Sequence, residues 1–121
     1  MTANSGREGD IDAFAAANAD VFRRMREAGF DFTRPHDVEF FAVFRTEALA
    51  DEVAQLYVDD HEAGDRLVNV ETRPADKGGM ELLLVKRLVV TPDAIAAFER
   101  KLQERIGPRD AYLDGWGVLQ E

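Results

Sequence analysis

Two segments with helical spacing, each lying between segments with strand spacing, constrain the fold most strongly. Apolar residues recur three and four positions apart after Thr46, ending near Gly64, and again over 91–106. Short apolar segments typical of strands flank both helices, at 38–44, 67–72, 80–90 and 111–119. This order predicts an α+β protein, specifically a ferredoxin-like β-α-β-β-α-β sandwich with a four-stranded antiparallel sheet and two helices on one face.

Local signals fix where these helices and the hairpin between them lie. Thr91 precedes Pro92, which suits the first helical position because its missing N–H has no partner there. Thr46 can cap the earlier helix in the same way. Pro74 and the pair Gly78-Gly79 predict a hairpin loop, so the second and third strands should be antiparallel neighbours.

The first strand is apolar on both faces, which predicts a central position in the sheet. One face carries Val38, Phe40, Ala42 and Phe44, and the other carries Phe41 and Val43. Near the end of the last strand, Gly115 and Gly117 indicate a bulge or a close approach of another segment.

An additional helix over 10–28 precedes this pattern, with Asp10 as its cap and Gly29 as its stop. Residues 1–9 are expected to be flexible. The length of 121 residues fits one hydrophobic core, so residues 10–121 are expected to form a single domain. The placement of the leading helix stays open.

Composition argues against several classes of function. The chain has 15 basic and 24 acidic residues, a net charge of −9, so it should repel nucleic acid and attract basic protein segments. It has no Cys, no apolar N-terminal segment and no apolar stretch long enough to span a membrane. We therefore expect a cytoplasmic protein with no direct nucleic-acid or membrane partner.

Reactive constellations are not evident in the sequence. The one Ser, Ser5, lies in the segment expected to be flexible, and the glycine pair does not precede a helix as a phosphate loop does. His61 follows two Asp residues, but adjacent helical positions point about 100° apart and cannot bind one metal ion together. His36 is interpreted as part of a loop before the first strand. We predict no enzyme activity, no cofactor and no metal site.

Two features are candidates for contact with a protein partner. The helix after Thr46 has acidic residues and no Lys or Arg before Arg66, so it presents one sign of charge; a merely solvated face is the alternative. The only Trp lies between two glycines, either packed under the leading helix or exposed in a recognition patch. The candidate partner-binding residues are Glu47, Asp51, Glu52, Asp59, Asp114 and Trp116.

Several short motifs together resemble the regulator of ribonuclease E activity B family over about residues 24–120. They are Val38-Glu39-Phe40-Phe41, Thr46-Glu47, Lys86 in an apolar strand, Thr91-Pro92, and the closing Tyr112-Leu113-Asp114-Gly115-Trp116-Gly117. The resemblance implies a ferredoxin-like fold and a non-catalytic protein that binds the scaffold region of ribonuclease E and reduces RNA cleavage. It implies no catalytic residues.

A different function also fits the pattern. If the second face of the sheet is open, Phe41 and Val43 would need a cover, which is typical of a ferredoxin-like module that binds a small ligand or forms a homodimer without any connection to a ribonuclease.

Overall fold

The computed structural model describes residues 18–119. In chain order the elements are α1 (residues 18–27), β1 (Pro35–Phe44), α2 (Glu47–Glu62), β2 (Asn69–Pro74), β3 (Met80–Val89), α3 (Pro92–Ile106), a 3-10 turn (Gly107–Arg109) and β4 (Tyr112–Val118). The segment expected to be flexible, 1–9, and the first part of the predicted leading helix, 10–17, lie outside the described residues.

The four strands form one antiparallel sheet in the order β2-β3-β1-β4. Helix α2 connects β1 to β2, and β3 lies between those two strands. Helix α3 connects β3 to β4, with β1 between them. The predicted α+β class, the antiparallel β2–β3 hairpin and the central position of the first strand are confirmed.

One face of the sheet carries the core. The side chains of Val38, Phe40, Ala42 and Phe44 are at most 1% exposed, as expected for alternate residues of a strand covered by helices. All three helices contribute to the same cluster. Their fully or largely buried members are Phe22 from α1, Ala50, Val53 and Tyr57 from α2, and Ile95, Leu102 and Ile106 from α3.

The predicted helix caps at Thr46 and Thr91 are confirmed. The Thr46 hydroxyl accepts a hydrogen bond from the Leu49 N–H at 3.3 Å, and the Thr91 hydroxyl accepts one from the Ala94 N–H at 3.0 Å. Each bond satisfies an N–H group that has no partner inside the helix. The beginnings of α2 and α3 are therefore fixed by interactions within three residues of sequence.

The start of β1 differs from the prediction. The strand begins at Pro35, and His36 is 5% exposed within it, so the assignment of His36 to a loop was wrong. The imidazole ring lies 4.5 Å from the ring of Phe30, and its Nε2 lies 2.8 Å from the carbonyl oxygen of Asp31. These contacts come from the loop after α1. The local sequence at 36–39 therefore does not indicate them.

Glycines lie at a hairpin turn and at a β-bulge, two features that the sequence indicated. In the β2–β3 hairpin, Gly79 has φ +83°, and a Cβ atom there would clash with the carbonyl oxygen of Phe44. On β4, the pairing register with β1 shifts between Phe41 and Ala42, opposite Gly115 at φ +118°. The predicted bulge is confirmed, and it determines which way the end of β4 faces.

Candidate protein-binding surface

Helix α2 displays its acidic residues on one outer face. We call this the acidic face; its members are all exposed, and they are Glu47, Asp51, Glu52, Asp59 and Glu62. The opposite side of the helix buries Ala50, Val53 and Tyr57 in the core. The helical period therefore separates charge from core as the sequence indicated.

Members of the acidic face differ in how far neighbours neutralise them. Glu52 forms an ion pair with Arg109 at 3.0 Å, and Asp51 accepts a hydrogen bond of 3.4 Å from the hydroxyl of Thr72 on β2. Asp59 accepts one of 2.9 Å from Gln55, which adds no charge. Within residues 18–119, Glu47 and Glu62 form no ion pair. Uncompensated negative charge thus lies at both ends of α2.

Behind the acidic face, a second group of acids is paired across the fold. Asp60 accepts hydrogen bonds from Arg105 at 2.9 Å and from Lys101 at 3.1 Å, and Asp65 accepts one from Lys86 at 2.6 Å. Arg105 and Lys86, respectively, are the main reason that the pKa values of the two carboxyl groups lie below their usual range. These acids join α2 and the loop after it to α3 and β3, and their charge is largely neutralised.

Beside α2, strand β2 forms one edge of the sheet and borders a shallow groove of about 260 Å³. We call it the β2 groove; its lining residues are Val58, His61, Leu67, Val68, Asn69 and Val70. Val68 is 55% exposed. His61 shapes the groove because its Nδ1 accepts a hydrogen bond of 2.9 Å from the Leu67 N–H. The ring thus caps the turn after α2, a role that the sequence did not indicate.

The Trp116 side chain packs under α1. Its ring centroid lies 5.6 Å from that of Phe22, and its Nε1 donates a hydrogen bond of 2.9 Å to the side-chain oxygen of Asn18. The Asn18 amide nitrogen in turn donates to Glu99 of α3 at 2.9 Å. The first of the two placements considered for Trp116 is therefore the observed one, and its contact with a partner stays a prediction.

Glu99 is buried, with 7% of its surface exposed. Its carboxylate accepts a hydrogen bond from Asn18. In the described residues no cation contributes to the shift in its pKa. Burial raises the pKa of Glu99, and the bond from Asn18 offsets part of that effect. The cluster of Asn18, Glu99 and Trp116 joins α1 to α3 and β4 by hydrogen bonds.

Asp114 faces the other side of the sheet. It lines a groove of about 560 Å³ with Val43, Arg73, Glu81 and Tyr112, the last of which is 58% exposed. The six candidate residues therefore do not form one surface. Four lie on α2, Trp116 lies under α1, and Asp114 lies on the face of the sheet opposite the core.

Two negative findings apply to residues 18–119. In this range no three His, Asp or Glu side chains converge as a metal ion would need, and Asp59, Asp60 and His61 point apart as helical geometry requires. None of the helices in the described part combines the length and apolar character needed to cross a lipid bilayer.

These features define a small acidic α+β protein that displays negative charge on an outer helix beside β2, an edge strand of the described sheet. A comparison with family sequence profiles matches residues 15–118 to the family described as "Regulator of ribonuclease activity B". The chain belongs to this family. A comparison with curated proteins gave no match.

Proposed function

We propose that this protein is a non-catalytic regulator that binds ribonuclease E and reduces its cleavage of RNA. The observation that carries the proposal is the family match, which covers residues 15–118. The partner is a protein, not a nucleic acid, because a net charge of −9 repels the phosphate backbone.

The charge distribution supports a basic segment of the ribonuclease as the binding partner. Glu47 and Glu62 carry negative charge without an ion-pair partner in the described chain, and Asp51 and Asp59 lie between them on the same face. Complementary charge accelerates association and helps to select the partner. The residues proposed for contact remain Glu47, Asp51, Glu52, Asp59, Asp114 and Trp116.

The proposal includes a ferredoxin-like fold in the cytoplasm, where RNA turnover takes place. The connectivity supports this fold, because β1–α2–β2 and β3–α3–β4 each join two strands that have one other strand between them. The single core shared by α2 and α3 supports it as well.

A direct test is association with purified full-length ribonuclease E of the same organism, followed by cleavage of a fluorescent RNA. We expect binding that weakens with salt, because opposite charges are screened, and slower cleavage as the protein is added. Absence of association at low salt would refute the proposal. Bovine serum albumin, another acidic protein, controls for non-specific charge attraction.

A second candidate function is binding of a small ligand, supported by a groove of about 590 Å³ between α1 and β4. Its walls combine apolar side chains such as Met25 and Phe30 with the charged Asp31 and Arg34. A ligand screen by melting temperature tests this candidate, and light scattering tests for a homodimer. A monomer with no ligand-induced shift would remove both.

A further inference from the structure

We propose that the β2 edge of the sheet is the docking site for an extended, basic polypeptide segment, which adds to the sheet as a fifth strand. This inference rests on the proposed function for the class of partner, and it goes further by assigning the site and the binding mode. Main-chain pairing would supply affinity, and the flanking side chains would select positive charge.

Strand β2 has an outer side that can pair with another chain. In residues 18–119, β2 pairs with β3 on one side and with no strand on the other. Alternate residues of an edge strand direct N–H and C=O groups outward, where they can pair with another chain. Natural edges are often protected by Lys or Pro residues; β2 contains no Lys, and its one Pro, Pro74, is the last residue of the strand. Its single Arg, Arg73, is bonded to Glu81 at 2.7 Å.

An apolar surface lies along this edge. The β2 groove offers about 260 Å³ next to the first half of the strand. That volume suits one aliphatic side chain of an added strand. Val68, at the rim of the groove, is 55% exposed. Covering this side chain with a neighbouring chain would remove apolar surface from water, which is favourable.

Negative charge on both faces of the sheet at this edge favours a basic occupant. On the helix side of β2, the bond from Thr72 to Asp51 places the acidic face next to the edge. On the other side, Glu71 is exposed, in register with Leu83 on the face that the helices do not cover. Successive side chains of an added strand point to alternate faces of the sheet. Basic side chains on either face of the added strand would therefore meet carboxylates.

The opposite edge of the sheet differs. Strand β4 borders the groove next to α1, where the basic Arg34 lies beside the acidic Asp31, so the charges there are mixed. Electrostatic selection of a basic segment consequently favours β2.

The test uses a labelled nine-residue peptide of lysine with valine at every third position, which places lysines on both faces of an added strand. Binding is measured by fluorescence anisotropy, and the site is located by backbone amide shifts of the ¹⁵N-labelled protein. We expect shifts in Asn69–Arg73. The same peptide with every backbone nitrogen methylated should bind at least tenfold more weakly, because neither of its edges can donate to the ladder.

Charge reversal tests the role of the acidic face. The double variant Glu47→Lys, Glu62→Lys should bind the peptide about tenfold more weakly. A matched control, Glu27→Lys with Glu104→Lys, changes the net charge by the same amount on α1 and α3, and it should stay within twofold of the wild type. Both variants alter exposed side chains, and their melting temperatures verify that they are folded.

Three outcomes would overturn the assignment: equal weakening in both double variants, equal binding of the methylated peptide, or amide shifts confined to Tyr112–Val118. The result with ribonuclease E is separate. Peptide binding at β2 without association with ribonuclease E would refute the proposed function alone. Association with ribonuclease E that the Glu47, Glu62 variant leaves unchanged would refute the β2 assignment alone.

Discussion

Replacing Asn18 by Ala should destabilise the protein strongly for a single polar residue. The substitution removes the donor to the buried Glu99 carboxylate and the acceptor of the Trp116 N–H, both at 2.9 Å. A hydrogen bond to a charged group contributes about 1.5–3 kcal/mol, and an unsatisfied, half-buried N–H costs about 1 kcal/mol. The higher helix propensity of Ala returns about 0.5 kcal/mol. The expected loss is therefore about 2–3.5 kcal/mol.

Thermal unfolding measures this loss. An unfolding entropy of about 2.1 cal/mol/K per residue gives roughly 0.25 kcal/mol/K for 121 residues, so the melting temperature should fall by about 8–14 °C. The experiment is best done at pH 8, because a high pH favours the charged form of Glu99. Circular dichroism at 222 nm follows the transition.

A double-mutant cycle separates the charge from the shape of the site. In a Glu99→Gln background the group left without a donor is neutral, so the cost of Asn18→Ala should fall by about 1 kcal/mol. Asn18→Ala could lower the melting temperature by less than about 2 °C, or it could lower the free energy of unfolding equally in the wild type and in Glu99→Gln. Either result would refute the conclusion that Asn18 stabilises a buried charge.

Three further predictions concern titration and backbone geometry. Because burial raises the pKa of Glu99, its contribution to stability is complete below the unfolded-state pKa and is lost as pH rises through the folded-state pKa. The melting temperature of the Glu99→Gln variant should therefore rise relative to that of the wild type between pH 4 and 8. A difference in melting temperature that stays constant over this range would contradict the prediction. Asp60→Asn should lower the free energy of unfolding by about 1–2 kcal/mol at pH 7. Since the pKa of Asp60 is lowered, that difference should vanish as pH falls through the folded-state value, as urea titrations at several pH values can verify. Gly79→Ala should cost at least twice the roughly 1 kcal/mol expected for Gly78→Ala. Both glycines have positive φ, but a Cβ atom clashes with Phe44 at Gly79 and meets open space at Gly78, so equal losses in urea unfolding would count against the clash.

The fold was predictable where its determinants are local. The caps at Thr46 and Thr91 each depend on a residue three positions away, and the two apolar faces of β1 are visible within seven residues. The start of β1 was missed because the contacts of His36 come from the preceding loop. Local patterns give the elements and the beginnings of α2 and α3, whereas tertiary contacts set the beginning of β1.

The candidate site was predictable only in part. Helical periodicity gave the exposure of the acidic face, but Asp60 is neutralised by cations more than 40 positions away, which no local pattern records. Asp114 and Trp116 are two positions apart and would share a face in a regular strand. The bulge at Gly115 places them on opposite sides of the sheet.

The position of Trp116 provides a built-in optical reporter. It is the only indole in the chain, and it lies at the joint between α1 and the sheet. Emission from this fluorophore therefore originates at a single known place. Any event that lifts α1 would expose the ring to water and shift the emission to longer wavelengths, so separation of this helix can be timed without a dye.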